Sequence, residues 1–568
     1  MRRALISAAC AVATMAALAV PASAEPTPAQ AKGETSEYVV LYKERVSLGS
    51  AHHAVRAAGG KIVHENRDVG VATVRSDNPE FVHAVMRERA LDGVAHNRVI
   101  GEAPKTKRTA AKVEQLTGAV STAPLTGAPS KNEEPLAGLQ WDMKQIHATA
   151  NGSYKREPGD KRVLVGILDT GVDGDHPDIK PNFNRKLSRN FTRDIPADAN
   201  GNEVDGPCEF ASCVDPVDWD DNDHGTHVAS TIASPRNGLG MAGVAPNVSL
   251  VNLRVGQDSG YFFLQPTVDG LTYAAKNGID VVNMSYYVDP WLWNCGNNPA
   301  DSPEDQYEQR TIIKATQRAL DFAHDRGVTL ISAAGNDFVD YTKTNEDTGS
   351  PDFPSTPGEE PHDRTVPASC VSMPSEGEHV IPISATGPSG RKSYYSSFGN
   401  GYVAVAAPGG DKVDTADQRA DDKAGIWAAY PERLAKARGE LNADGTPTVP
   451  YIIRSCKGDD CAYYQSIQGT SMASPHAVGV AALIISKYGE RDRRHGGLTM
   501  SPNSVERVLR GTATARECPS PRTTEYVWYT KSGDEWAKNT STQTCEGSKK
   551  QNGFFGNGVV DALNAVRR

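Results

Sequence analysis

Over residues 136–568 the chain alternates two kinds of apolar segment. Short, almost uninterrupted apolar runs come first: RVLVGILD at 162–169, VSLVNLRV at 248–255, IDVVNMS at 279–285, GVTLISAAG at 327–335, VIPISAT at 380–386 and YVAVAAPG at 402–409. Their length and lack of a polar face suit strands covered on both sides. Between several of them lie stretches with helical spacing: HGTHVASTIAS at 224–234, PTVDGLTYAAKNG at 266–278 and RTIIKATQRALDFAHDRG at 310–327. This alternation predicts an α/β fold, a mostly parallel sheet with helices on both faces. In such sheets ligands gather at the carboxyl ends of the strands.

The N-terminal part has a different rhythm. YVVLY at 38–42 and GVATVR at 70–75 alternate as half-buried strands do, and LGSAHHAVRAAGG at 48–60 and PEFVHAVMRERALDG at 79–93 read as helices stopped by glycine. Strand, helix, strand, strand, helix, strand predicts a small α+β, ferredoxin-like unit within 25–100. Residues 101–135 are rich in Ala, Thr, Pro and Lys and read as a linker. Residues 1–24 combine Arg2 and Arg3, an alanine-rich apolar stretch and Ala22-Ser23-Ala24, the pattern of a secretory signal peptide.

Composition narrows the partners. A formal net charge of −10 offers no electrostatic footprint for nucleic acid, and no basic cluster marks a membrane surface. Of nine cysteines, Cys10 lies in the signal region. The other eight suit disulfides in an exported chain. Spacing suggests Cys208 with Cys213, Cys456 with Cys461 and Cys518 with Cys545, leaving Cys295 with Cys370, although sequence does not fix connectivity.

The chemistry-bearing residues follow the strands. Asp169 ends one run, His224 opens a helix, Asn336 lies just past a strand, and Ser471 in GTSMASPHAVG opens another helix. All four belong at the sheet's ligand-binding end. Serine needs a base, histidine titrates near neutrality, and an aspartate can fix the imidazole tautomer. A helix N-terminus disfavours imidazolium and should keep His224 free to accept a proton. The free N–H groups at Ser471 and the Asn336 amide could hold an oxyanion. Each residue also has a plainer reading. Asp169 and Asn336 could be turn residues, and His224 with His227 beside Asp220, Asp221 and Asp223 could bind metal, though H-E-x-x-H is absent. Thr470, Ser474 and His476 are assigned to helix capping and packing. Asp-Thr-Gly recurs at Asp347, so an aspartic-protease pair is the rival chemistry. Asp347, however, sits in a polar loop.

The motifs DTG at 169–171, HGTH at 224–227 and GTSMASPH at 469–476, in that order, resemble the subtilisin-like (subtilase) serine proteases over roughly residues 139–566. The resemblance implies Asp169, His224 and Ser471 as the catalytic triad, His224 rather than His227 as the base, and Asn336 in the oxyanion hole. It implies a substrate-binding strand at Ser285-Tyr286-Tyr287 and a second wall at Ala333-Ala334-Gly335. It also implies a fold-assisting, inhibitory propeptide in the N-terminal unit, cut away between 101 and 138. No cofactor is expected for the chemistry. A structural calcium is expected at Asp178 and Asn237, although the ligand from the mature N-terminus has no clear match. The chain departs from the family at Tyr287, where glycine is usual, and in inserts at 185–218, 288–309 and 410–454. These predict restricted specificity. The expected protein is a secreted, monomeric serine endopeptidase made as a zymogen and acting on protein or peptide substrates. The alternatives are a catalytically silent binding protein of the same fold and a dedicated processing protease with one substrate.

Overall fold

The computed structural model describes residues 35–97, 113–117, 133–197, 203–352, 361–532 and 535–567. The signal-peptide reading, and most of the linker, lie outside the described residues. All six apolar runs form strands of one seven-stranded sheet, in the order Val405–Pro408, Val380–Thr386, Thr329–Ala333, Val281–Met284, Leu164–Leu168, Ser249–Arg254 and Arg189–Asn190. Every pairing in it is parallel. Helices Leu264–Lys276 and Pro303–His324 share a core with Val251, Val282 and Leu330. Helices His224–Ala233 and Thr470–Tyr488 share another with Val165, Ile331 and Ile383. Both faces of the sheet are thereby covered, which is why its strands read as unbroken apolar runs.

The helix Thr470–Tyr488 is buried continuously from Thr470 to Ile485. An all-round apolar helix is stable only inside a core, and this one runs through the centre. Gly479 permits its close approach: a Cβ there would lie 2.5 Å from Val244 Cβ.

Residues 36–96 form the expected four-stranded antiparallel sheet with two helices, in the order Lys61–Asn66, Val71–Ser76, Ser36–Tyr42, Leu91–His96. One boundary differs from the sequence reading. The second helix stops at Arg87, and Leu91 already belongs to the last strand. The unit docks on Leu264–Lys276 and Pro303–His324. Arg318 donates to the Tyr42 carbonyl at 2.7 Å and pairs with Asp92 at 2.9 Å. Asn66 donates to Asp269 and Thr272, both at 2.7 Å. All four suggested disulfides are formed. The insert at 410–454 leads into a three-stranded antiparallel sheet, Ile426–Tyr430, Asp460–Ile467 and Ile452–Lys457, against the His224 helix. Among the described residues no helix is long and apolar enough to cross a membrane.

Candidate active site

Asp169 follows Leu168 at the carboxyl end of a central strand and is fully buried. His224 is the first residue of its helix. Asp223 before it adopts φ +95°, a left-handed turn that aspartate tolerates better than most residues. Arg438 and Gln465 hold its carboxylate. Asp220 organises the rest of this entry: its two oxygens accept from Thr170 Oγ1, from the Asn222 and Asp223 amides, and from the amide and hydroxyl of Thr226. Gly225 is required by space, since a Cβ would sit 2.0 Å from the Gly171 carbonyl. The outcome is a 2.7 Å contact between His224 Nδ1 and Asp169 Oδ1. That leaves Nε2 facing the cleft, buried and without a hydrogen-bond partner.

Ser471 and Asn336 meet on the other side. Asn336 Oδ1 accepts from the Thr470 amide and hydroxyl, each at 2.9 Å, so Nδ2 is the end that faces the cleft. Gly335 (φ +101°) turns the chain here and donates to Thr470 Oγ1 at 3.1 Å. Ser285 donates to the Ser471 carbonyl at 3.0 Å, and Asn283 links Ser285 to Ser474. Capping is therefore not what these hydroxyls do. The helix is preceded by Gly469 without a side-chain cap, and Thr470 and Ser474 bind Asn336 and Asn283 instead. His476 bridges the Met472 carbonyl and Asp142 inside the core.

The site holds a residue that sequence reading passed over. Glu114, from the linker, places its carboxylate in the cleft. Oε1 accepts from Ser471 Oγ at 2.6 Å and from Asn336 Nδ2 at 3.1 Å, and Oε2 lies 3.7 Å from His224 Nε2. Val113 and Leu116 are anchored beside it, their carbonyls accepting from Gln468 and Lys412 at 3.0 and 2.7 Å. VEQLT carries no motif, and Glu114 is one of four glutamates in the 101–135 linker with nothing in its spacing to single it out. Burial disfavours the imidazolium, but Asp169, Glu114 and Asp223 outweigh it and lift the His224 pKa to about 10. The helix N-terminus was expected to keep the ring neutral. Three carboxylates in a dry site override a partial charge.

The cleft encloses about 570 Å³ and is lined by Ser285, Tyr286, Tyr287, Ala333, Gly335 and Asn336 among others. Ala334 is fully buried, and its carbonyl accepts from Tyr402. Tyr286 stacks on Phe262 at 4.3 Å, and Tyr287 donates to Asp352 at 2.5 Å. The two tryptophans of the 288–309 insert are buried in different clusters. Trp291 packs into the core shared by helices Leu264–Lys276 and Pro303–His324 and lies under Arg364. Trp293 packs with Cys295, Cys370 and Tyr341, and Leu292 between them reaches the cleft.

Two other readings are resolved by partners. His227 is buried against the Ile426 carbonyl, and burial pulls its pKa down to about 3. Asp347 pairs with Arg364 and caps the Gly349 and Ser350 amides, apart from Asp169's contact with His224. Asp178 and Asn237 do meet, but not as a cation cage. Asp178 accepts from Asn237 Nδ2 at 3.0 Å, the Met241 amide at 3.1 Å and the Tyr464 hydroxyl at 3.0 Å. The Lys457 ammonium caps the Asn237 carbonyl, and Glu134 takes the Gly238 amide. Donors occupy the oxygens that calcium would need, so these residues do not fit the expected ion.

A family model described as "Subtilase family" matches residues 160–558. Among curated proteins, subtilisin DY of Bacillus licheniformis is 28% identical over 62% of this chain and 84% of its own length. An extracellular protease of Xanthomonas campestris pv. campestris is 27% identical over 84% of this chain and 69% of its own. Fervidolysin of Fervidobacterium pennivorans is 23% identical, and the chain spans only 53% of it. Among solved structures, the epidermin leader peptide processing serine protease of Staphylococcus aureus covers 94% of this chain and 98% of its own, with a TM-score of 0.57 at 20% identity. The structural likeness speaks to the fold, and the family model spans most of the chain together with the aspartate, histidine and serine motifs. The chain belongs to the subtilase family of serine proteases.

Proposed function

We propose that the protein is a secreted serine endopeptidase made as a self-inhibited precursor. In this reading Ser471 attacks the scissile carbonyl and His224 takes its proton through Nε2. Asp169 fixes the imidazole tautomer and stabilises the cation formed. The Asn336 amide binds the developing oxyanion. The acyl-enzyme is then hydrolysed by water with His224 again as base. One observation carries the proposal. The Ser471 hydroxyl and the Asn336 amide converge on a single carboxylate oxygen, with His224 Nε2 facing the other. The Glu114 carboxylate stands where a scissile or product carboxyl group would lie, Oε1 at the oxyanion position. Covalent trapping of Ser471, argued below, tests it.

The N-terminal unit and its linker would then be the inhibitory propeptide. The four disulfides and the N-terminal signal pattern support export. Tyr287, Leu292 and Tyr341 at the cleft support a narrowed primary pocket. Peptide-library profiling should therefore return a restricted set of cleavable residues rather than broad cleavage.

Glu114 must leave before a peptide can enter. Changing it to the neutral isostere, Glu114→Gln, replaces charge-assisted hydrogen bonds by ordinary ones, a difference of about tenfold in the closed-to-open equilibrium. First-order self-processing of the precursor is expected to accelerate by about that factor. The pH profile should move as well. Processing needs neutral His224, so its rate rises as pH passes the histidine's pKa. Glu114 is one of three carboxylates, with Asp169 and Asp223, that raise that pKa. Glu114→Gln removes one of them, and the rising limb shifts to lower pH. An unchanged rate and profile would show that Glu114 does not gate the site.

A further inference from the structure

We infer that the protein binds a divalent, calcium-type cation at a second acidic site, formed by Asp194, Glu209, Asp215 and Asp258 beside the cleft. The four carboxylates each offer an oxygen within 4.8 Å of all the others. They come from separate places in the chain. Asp194 follows the edge strand Arg189–Asn190, Glu209 is held in the Cys208–Cys213 loop, Asp215 follows that loop, and Asp258 follows the strand Ser249–Arg254. Three of these four residues belong to the 185–218 insert.

Proximity of acids alone is a weak argument; the unmet oxygens are the stronger one. Asp194 is only 6% exposed, yet neither of its carboxylate oxygens has a hydrogen-bond partner. Asp215 Oδ1 and Asp258 Oδ2 are likewise buried and unpartnered. The opposite oxygens of these two residues are occupied: the buried guanidinium of Arg254 pairs with Asp215 Oδ2 and, at 2.6 Å, with Asp258 Oδ1. Arg254 thus answers one face of the cluster and leaves a second set of oxygens aimed inward. When all four are ionised, four carboxylates against the one guanidinium that pairs with them leave three negative charges. A buried carboxylate without a partner is costly, and a divalent ion removes most of the imbalance.

The donor set selects the ion. All ligands are carboxylate oxygens, the preference of hard cations. Of the four, Glu209 lies in the disulfide-closed Cys208–Cys213 loop and is exposed, leaving room for water. Calcium accepts six to eight oxygens in uneven geometry, whereas magnesium demands a near-ideal octahedron. The site also touches function. Asp258 is followed by Ser259, Gly260 and Tyr261, which line the cleft, and the Asp258 carbonyl accepts from Asn222 Nδ2, two residues before His224. An ion here would fasten the insert to the cleft rim and to the histidine loop.

The test uses the full chain carrying Ser471→Ala, so that self-digestion cannot intrude and the result does not depend on the protease reading. After chelation, calcium is titrated while Tm and bound calcium per chain are measured. One calcium per chain is expected to depend on this site, with a rise in Tm of about 3 °C or more at a hundredfold excess over Kd and a smaller response to magnesium. Adding Asp194→Asn should weaken that binding at least tenfold. In chelator the same variant should be as stable as its parent or more so, because a buried unpaired charge is gone; with calcium it should be the less stable. This crossover separates a ligand from a merely structural residue. A Tm that does not respond to calcium, a response that survives Asp194→Asn, or an equal loss of stability with and without calcium would each overturn the assignment.

Discussion

Ser471→Ala is expected to abolish covalent labelling by a serine-directed phosphonate and to lower peptide hydrolysis by about six powers of ten, a loss known for subtilisin's own nucleophile rather than a figure from this geometry. The reasoning starts from the hydroxyl's setting. Ser471 is 4% exposed, its main chain is pinned by Ser285, and its hydroxyl points at the oxygen that Asn336 also reaches. No neighbouring hydroxyl can replace it. Thr470 is committed to Asn336, and Ser474 to Asn283. His224→Ala should cost about as much, because the two act as one unit, and the double variant should lose little more. Serine and histidine variants should also accumulate uncut precursor if the linker is cleaved in cis. Undiminished labelling of the Ser471→Ala protein would place the nucleophile elsewhere. Absent labelling of the unaltered, fully processed chain would favour the silent binding-protein reading.

The parallel sheet was legible because burial on both faces writes itself as unbroken apolar runs, and each of the six runs became a strand. The place of the candidate site was legible for a related reason: Asp169, His224, Asn336 and Ser471 all stand just past a strand or at a helix start, where a parallel sheet collects ligands. What stayed hidden depends on long-range partners. Asp178 and Asn237 carry calcium-like oxygens in sequence, but whether those oxygens are free is decided by Tyr464, Met241 and Lys457, up to 286 residues away. The role of Asp220 is local but silent, since an acid before a helix looks the same whether it binds solvent, metal or five backbone and hydroxyl donors. Glu114 was the least visible. Its contacts with Ser471 and Asn336 depend on where the linker is laid, and composition could say only that 101–135 was not a core. The helix at Ser471 shows the opposite error. Ser and Thr at its mouth matched a capping pattern, yet the burial that makes the helix central also supplied Asn336 and Asn283 as better partners.

Asn336→Ala is expected to lower kcat by roughly 10²–10³ while KM changes by no more than about threefold, the range known for the equivalent donor in subtilisin. The split follows from timing. A carbonyl in the ground state needs little from the amide, whereas the oxygen of the tetrahedral intermediate carries a full charge in a site with little water. A donor used only in the transition state lowers kcat and kcat/KM together. The structure adds a specific complication. Asn336 Oδ1 also accepts from the Thr470 amide and hydroxyl, so truncation removes an anchor of the Ser471 helix as well as the proposed oxyanion donor. Asn336→Asp separates the two. Aspartate keeps an oxygen for Thr470 but replaces the donating amide with a second acceptor, so the helix anchor survives and the oxyanion meets repulsion. If Asn336 donates to the oxyanion, the aspartate variant should hold its Tm near that of the unaltered protein and lose at least as much kcat as Asn336→Ala. If Asn336 serves only to anchor Thr470, the aspartate variant should retain most of its turnover, and the loss in Asn336→Ala should follow its fall in Tm.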